Sequence, residues 1–122
     1  MRIWDISPSW LCRQHLLAEH RELHAIWTIL TQKKKGYRQH PEVRRWIGRL
    51  KALYLRHERE IHELKRRGYR HCSQLDKTLA SGKSRQTILL NTSHEQQEIL
   101  RQKNCSCLLS FAEGRKKKTK TT

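Results

Sequence analysis

The sequence predicts a compact all-α domain of three helices, flanked by an extended N-terminal arm and a basic, disordered C-terminal tail. Three observations predict it. Apolar residues recur at helical spacing along two long stretches. Capping signals bracket those stretches. A chain of 122 residues with four Trp makes one domain, and such a chain buries roughly 65% of its unfolded surface around one modest core. The helical domain is expected over residues 1–110 and the tail over 111–122.

Residues 1–12 are short and interrupted at Ser7-Pro8, so they read as an extended arm anchored by Trp4 and Trp10. The first helix is expected from about Cys12 to Thr31, with Leu16, Leu23, Ile26, Trp27 and Leu30 in one stripe. Lys33, Lys34 and Lys35 form its cationic end and Gly36 its C-cap. The second helix begins with Pro41 at the first helical position and Glu42 at the positive end of the dipole. Val43, Ile47, Leu50, Tyr54, His57, Ile61 and Leu64 then recur at spacings of four and three, which reads as one continuous packing seam. A helix of that length runs on the order of 40 Å and carries Arg44, Arg45, Arg49, Arg56 and Arg59 on or near its outside. Gly68 closes it, with Tyr69 available for the capping contact. Residues 76–91 read as a loop whose apolar end, Ile88-Leu89-Leu90, docks on the core. Thr92-Ser93-His94-Glu95-Gln96 holds both the T-x-x-E and S-x-x-Q registers of a capping box, and a short third helix follows from about His94 to Lys103. Arg115-Lys116-Lys117-Lys118-Thr119-Lys120 makes the tail electrostatically sticky.

Lys and Arg number 27 against 11 Asp and Glu, a net charge of +16. No stretch approaches the ~20 apolar residues of a membrane span. The start, MRIWDISPSWLC, has no apolar signal region. Membrane and secreted classes are therefore not expected, and the excess charge points to a polyanion, most commonly nucleic acid. The charge is uneven: residues 1–30 are neutral, 31–70 carry +10 and 71–122 carry +6. A neutral segment beside two basic ones suits a reaction centre set in a phosphate-gripping surface, and a basic non-catalytic binder is the alternative. Arg44 and Arg45 are candidate phosphate contacts.

Cys12, Cys72, Cys105 and Cys107 are not expected to form a disulfide framework, since cytosolic thiols stay reduced. Cys105-Ser106-Cys107 is not a CxxC pair, and His71-Cys72 is its only weak supplement, so no metal site is expected. His57-Glu58-Arg59-Glu60-Ile61-His62 is a false zincin motif, because its histidines stand about 140° apart on a helix. His57 lies in the seam and reads as a core residue. His20 and His24 do share a helix face, but no third ligand is evident and Glu22 points away from them.

The opposite flank of the first helix carries Gln14, Ala18, Arg21, Glu22 and Ala25 within about 100°. Two alanines around an acid, an arginine and an amide leave a shallow polar face that something can approach closely. Periodicity alone favours an ordinary solvated face. Glu19, at the edge of the apolar stripe, reads as a partly buried, paired carboxylate.

Arg2-Ile3 followed by Gln14-His15-Leu16-Leu17-Ala18-Glu19-His20-Arg21-Glu22-Leu23 resembles the N-terminal signature of the phage endonuclease V-type pyrimidine-dimer DNA glycosylases. Weaker similarity continues to Lys65-Arg66-Arg67-Gly68-Tyr69 and fades after about residue 75. Beyond that, only His94-Glu95, Arg101 and Lys103 resemble the family's last helix. The resemblance implies a three-helix domain with the arm threaded beside helix one. It implies an enzyme that cuts the glycosyl bond at a pyrimidine dimer and then nicks the strand by β-elimination, acting on double-stranded DNA with the base opposite the lesion flipped out. The nucleophile it implies is the α-amine of Met1, with Glu22 as catalytic acid/base. Arg2, Gln14, His15 and Arg21 would contact DNA or the reacting sugar, with Arg101 and Lys103 as further DNA-binding residues. A cytoplasmic, nucleoid-associated monomer needing no metal or cofactor is the corresponding expectation.

The chemistry agrees with first principles. An α-amine of pKa about 7.8 is roughly a quarter to a third neutral near pH 7.4, against ~0.1% for an ordinary Lys. A neighbouring carboxylate can move protons and steady the developing oxocarbenium charge. Two departures stand out. Where the family removes its initiator Met, the register here puts Met1 itself in the nucleophile's place, and cleavage before a bulky Arg2 is unfavourable. The family's aromatic, basic C-terminal stretch is replaced by Cys105-Ser106-Cys107-Leu108-Leu109-Ser110-Phe111, and one arginine of helix one by Ala25. An enzyme of the same mechanism for another lesion is therefore a second expectation.

Overall fold

A computed structural model describes residues 2–32, 39–70, 74–103, 105 and 107. All regular structure among them is helical: α1 (Arg13–Thr31), α2 (Pro41–Arg44), α3 (Leu50–Arg66) and α4 (Ser93–Arg101), with short 3₁₀ turns at Pro8–Trp10 and Lys77–Leu79. The expected caps at Lys33 to Gly36, the thiol Cys72 and the basic tail lie outside the described residues.

α1 forms where its stripe predicts. Leu23, Ile26 and Trp27 join Val43, Trp46, Ala52 and Leu53 in one half of the core. Leu16, nearer the start of α1, joins Leu11, Leu64 and Leu100 in the other half. The N-terminal arm runs beside α1 and serves both: Ile3 packs in the first cluster, Trp4 and Ile6 in the second.

The long second helix is corrected to two. α2 ends after one turn, and Gly48 takes φ +77, a left-handed conformation that glycine adopts at little cost. The break changes which residues go inside. A continuous seam would bury Ile47, whereas the chain buries Trp46 and leaves Ile47 45% exposed. The larger aromatic surface wins, and the Trp46 Nε1 finds an acceptor in Glu42 Oε2 at 3.0 Å. α3 alone is about 25 Å long.

α3 has no side-chain cap at Arg49. The loop beneath it does that work: Ser81 and Lys83 carbonyls accept from the Lys51 and Ala52 amides at 2.7 and 3.1 Å, while the Lys83 amide donates to Gly48 O at 2.9 Å. At its other end Gly68 has φ +96. There the Tyr69 and Gly68 amides donate to Leu64 O and Lys65 O, both at 3.0 Å, closing a Schellman motif as its Gly-Tyr pair predicts. α4 opens on the T-x-x-E register, Thr92 and Glu95 capping one another; Ser93 instead accepts from Gln97 Nε2. The Ile88-Leu89-Leu90 run does not dock on the core; each of the three is 44–45% exposed. Leu75 and Ala80 of the same region pack there instead.

Candidate active site

Two buried arginines hold the N-terminal arm. Arg56 sends Nη1 to Ile6 O at 2.7 Å and grips Glu19 with Nε and Nη2 at 2.6 and 3.0 Å. Glu19 Oε1 in turn accepts the Trp4 amide at 3.0 Å. Arg45 donates to Ile3 O at 2.9 Å, Asp5 Oδ1 at 3.1 Å and Glu42 Oε2 at 2.8 Å. From the other side the Asp5 amide donates to Gln96 Oε1 of α4 at 2.6 Å. The expected outward placement of Arg45 and Arg56 is therefore corrected: both are buried, at 3% and 7% exposure. In Arg45 the charge offered to phosphate is spent on Glu42 and Asp5. Burying such charges is tolerable only when they are paired and hydrogen-bonded, and here they are.

The expected paired carboxylate is found at Glu19, which is buried to 1%. Glu60 Oε2 stands 3.6 Å from Arg56 Nε, and its Oε1 meets His20 Nδ1 at 3.0 Å. Burial pushes both Glu19 and Glu60 above the usual carboxylate range. A single guanidinium, that of Arg56, faces both carboxylates.

On the other flank of α1, Gln14 and Arg21 are exposed, while Ala18, Glu22 and Ala25 are half-buried. Among the described residues no ion pair engages Glu22. Arg2 stacks its guanidinium 4.4 Å above the Trp4 ring, and its Nε is buried without a hydrogen-bond partner among the described residues. Arg44 and Lys103 are exposed, and Arg101 is half-buried and pairs with Glu98. Met1, the expected nucleophile, lies outside the described residues. An open groove of about 590 Å³ between arm residues Ser7, Pro8 and Ser9 and α3 residues Leu55, Glu58 and Arg59 contains none of these candidates.

His15 faces sulfur. Its Nδ1 is 3.2 Å from Cys12 Sγ and 3.4 Å from Cys107 Sγ, and burial, with Lys103 nearby, lowers its pKa. Cys12, His15, Cys105 and Cys107 bring their ligand atoms within 4.8 Å of one another. His20 and His24 also gain the third partner that the sequence did not reveal: His57, whose Nε2 is 3.1 Å from His24 Nε2. Both sets could hold a metal ion. Neither convergence was readable along the chain, because each spans more than 30 residues of sequence. The arm clamp had one readable signal, the acid Glu19 at the margin of an apolar stripe.

No curated protein and no solved structure matches the chain. A family model described as pyrimidine dimer DNA glycosylase matches residues 1–77. The matched stretch contains the arm, its two arginine clamps and the open flank of α1 with Arg21 and Glu22, and ends before α4. On that match over more than half its length, the chain belongs to the pyrimidine dimer DNA glycosylase family.

Proposed function

We propose that the protein excises pyrimidine dimers from double-stranded DNA and then nicks the strand as an AP lyase, with the Met1 α-amine as nucleophile and Glu22 as acid/base. The observation that carries this reading is the family match over residues 1–77, which contains both residues. Membership makes lesion-containing DNA the substrate. Glu22 is half-buried between Ala18 and Ala25, and no ion pair engages it among the described residues, which supports the role given to it.

In this scheme the neutral amine attacks C1′ of a dimer sugar. The glycosyl bond breaks, its electron pair leaves with the base, and Glu22 steadies the positive charge at the sugar. Loss of the amine proton with opening of the sugar ring yields an imine. Removal of a C2′ proton then expels the 3′-phosphate, and water releases the amine. Arg2, Gln14, His15, Arg21, Arg44, Arg101 and Lys103 are the proposed DNA contacts. Arg45, consumed by Glu42 and Asp5, is withdrawn from that set.

Borohydride trapping on duplexes carrying a defined dimer or an abasic site tests the scheme. A covalent adduct at the Met1 peptide is expected, and an uncleaved N-terminal extension abolishes it while sparing DNA binding. An adduct at a lysine would remove Met1 from the mechanism, and no adduct would leave a binder without lyase chemistry. A different lesion is the second reading, favoured because the match stops at residue 77. A panel of defined lesions decides between the two.

A further inference from the structure

Three of the four cysteines, Cys12, Cys105 and Cys107, come together around one imidazole. Cys12 is the N-cap residue of α1 yet makes no side-chain cap hydrogen bond, so its sulfur is not used on the helix end. His15, one helical turn on, lies on the same face and turns Nδ1 toward that sulfur at 3.2 Å. The segment after α4 supplies two more sulfurs. Cys107 Sγ reaches His15 Nδ1 at 3.4 Å and accepts the Cys12 amide at 3.1 Å. Cys105 completes a set whose four ligand atoms all lie within 4.8 Å of one another.

We propose that Cys12, His15, Cys105 and Cys107 form a closed, structural metal site suited to zinc. Three thiolates and one imidazole are a standard structural zinc donor set. Metal–sulfur bonds of about 2.3 Å and metal–nitrogen bonds of about 2.0 Å in a tetrahedron place neighbouring ligand atoms roughly 3.5–3.8 Å apart. The sulfur–nitrogen distances of 3.2 and 3.4 Å are a few tenths of an ångström from that spacing. The Cys12 amide donating to Cys107 sulfur is the outer-shell hydrogen bond that a charged thiolate ligand favours. A divalent ion on three thiolates leaves one surplus negative charge, and the Lys103 ammonium lies close enough to act on His15.

Four protein ligands leave no open coordination position, so the ion would take no part in the glycosyl chemistry. It would join the segment after α4 to the start of α1. Cys107 also packs at the edge of the cluster of Trp4, Ile6, Leu11, Leu16, Leu64 and Leu100. The site straddles the family match: Cys12 and His15 lie within residues 1–77, Cys105 and Cys107 after it. It also commits His15 Nδ1 to metal and leaves only Nε2 for DNA.

The test uses the full chain with Cys72→Ser to remove the remaining thiol, purified under reducing conditions. One zinc per chain by elemental mass spectrometry is expected. Replacement with Co²⁺ should give thiolate-to-cobalt charge-transfer bands and the strong visible bands of a tetrahedral site. Cys12→Ser and Cys107→Ser should each weaken those bands and lower cobalt affinity at least about tenfold. His24→Gln should leave them unchanged, because the three-imidazole set contains no sulfur. Cobalt binding without a charge-transfer band would overturn the proposal, since metal would then sit on the imidazoles. So would reduced protein that takes up no metal, or a disulfide among these cysteines in freshly prepared protein.

Discussion

The Arg56 guanidinium meets both carboxylate oxygens of Glu19, at 2.6 and 3.0 Å, across 37 residues of sequence. Because Glu19 also accepts the Trp4 amide and Arg56 also donates to Ile6 O, this one pair fixes the N-terminal arm against α1 and α3. The proposed mechanism requires the terminal amine to be held beside a carboxylate. With the Arg45 bond to Ile3 O, the ion pair sets where the described part of the arm runs.

Breaking that pair from one side should be costly. Arg56→Met leaves a buried Glu19 without its cation, and such losses run to about 3–5 kcal/mol. Glu19→Gln should also act on stability, by removing the charge that the guanidinium needs. Chemical denaturation of each variant measures this. A loss below about 1 kcal/mol in Arg56→Met would mean that the pair does not hold the arm.

Glu22→Gln should do the opposite. It keeps shape on an open flank of α1, so the denaturation midpoint should hold. Loss of general acid–base action costs about 10²–10⁴-fold, and loss of charge stabilisation adds to it. DNA binding should persist or tighten. Near-normal nicking by the folded variant would end the assignment of Glu22.

The histidine cluster should make the fold sensitive to acid. Burial, reinforced by His20 and His57, lowers His24 to about 4. The unfolded chain then binds more protons between the ordinary His pKa of about 6.5 and that value, so stability falls as pH falls through this window. The stability of wild type relative to His24→Gln should decline from pH ~6.5 toward ~4. A difference independent of pH over that range would show that His24 is not held neutral.

Gly82 and Gly68 both have positive φ, at +82 and +96, but differ in surroundings. A Cβ on Gly82 would stand 2.2 Å from Gly48 O, in the loop that caps α3, whereas one on Gly68 meets nothing within 4 Å. Gly68→Ala should cost about 1 kcal/mol, the backbone penalty alone. Gly82→Ala should cost about 1–3 kcal/mol more, because backbone must move. Equal denaturation midpoints would refute the loop's role as the α3 cap.

Affinity for undamaged duplex should fall steeply with salt, roughly 0.9 log unit of slope per phosphate contacted. Exposed Arg21, Arg44 and Lys103 should each reduce the slope when changed to Gln. A flat salt response, measured by fluorescence anisotropy, would contradict a phosphate-gripping surface.

Local features were legible in the sequence. The stripe from Leu16 to Leu30 determines α1, the capping residues from Thr92 to Gln96 determine to within one residue where α4 starts, and Gly68 with Tyr69 determines where α3 stops. Each depends on residues within a few positions of one another, and backbone hydrogen bonding acts over that range. The polar flank bearing Arg21 and Glu22 was legible for the same reason. The 4-3 spacing from Val43 to Leu64 misled, because two helices in matching register mimic one. Only the competition between Trp46 and Ile47 for the interior, with Gly48 free to turn left-handed, decided the break. Arg45 and Arg56 are indistinguishable in sequence from the exposed arginines around them. Apart from Glu42 beside Arg45, their partners include carboxylates and carbonyls supplied by the arm and α1, some 37 to 50 residues away. The same holds for His57 beside His20 and His24, and for Cys105 and Cys107 beside His15: periodicity reports a residue's own helix face, and only packing reports what that face meets.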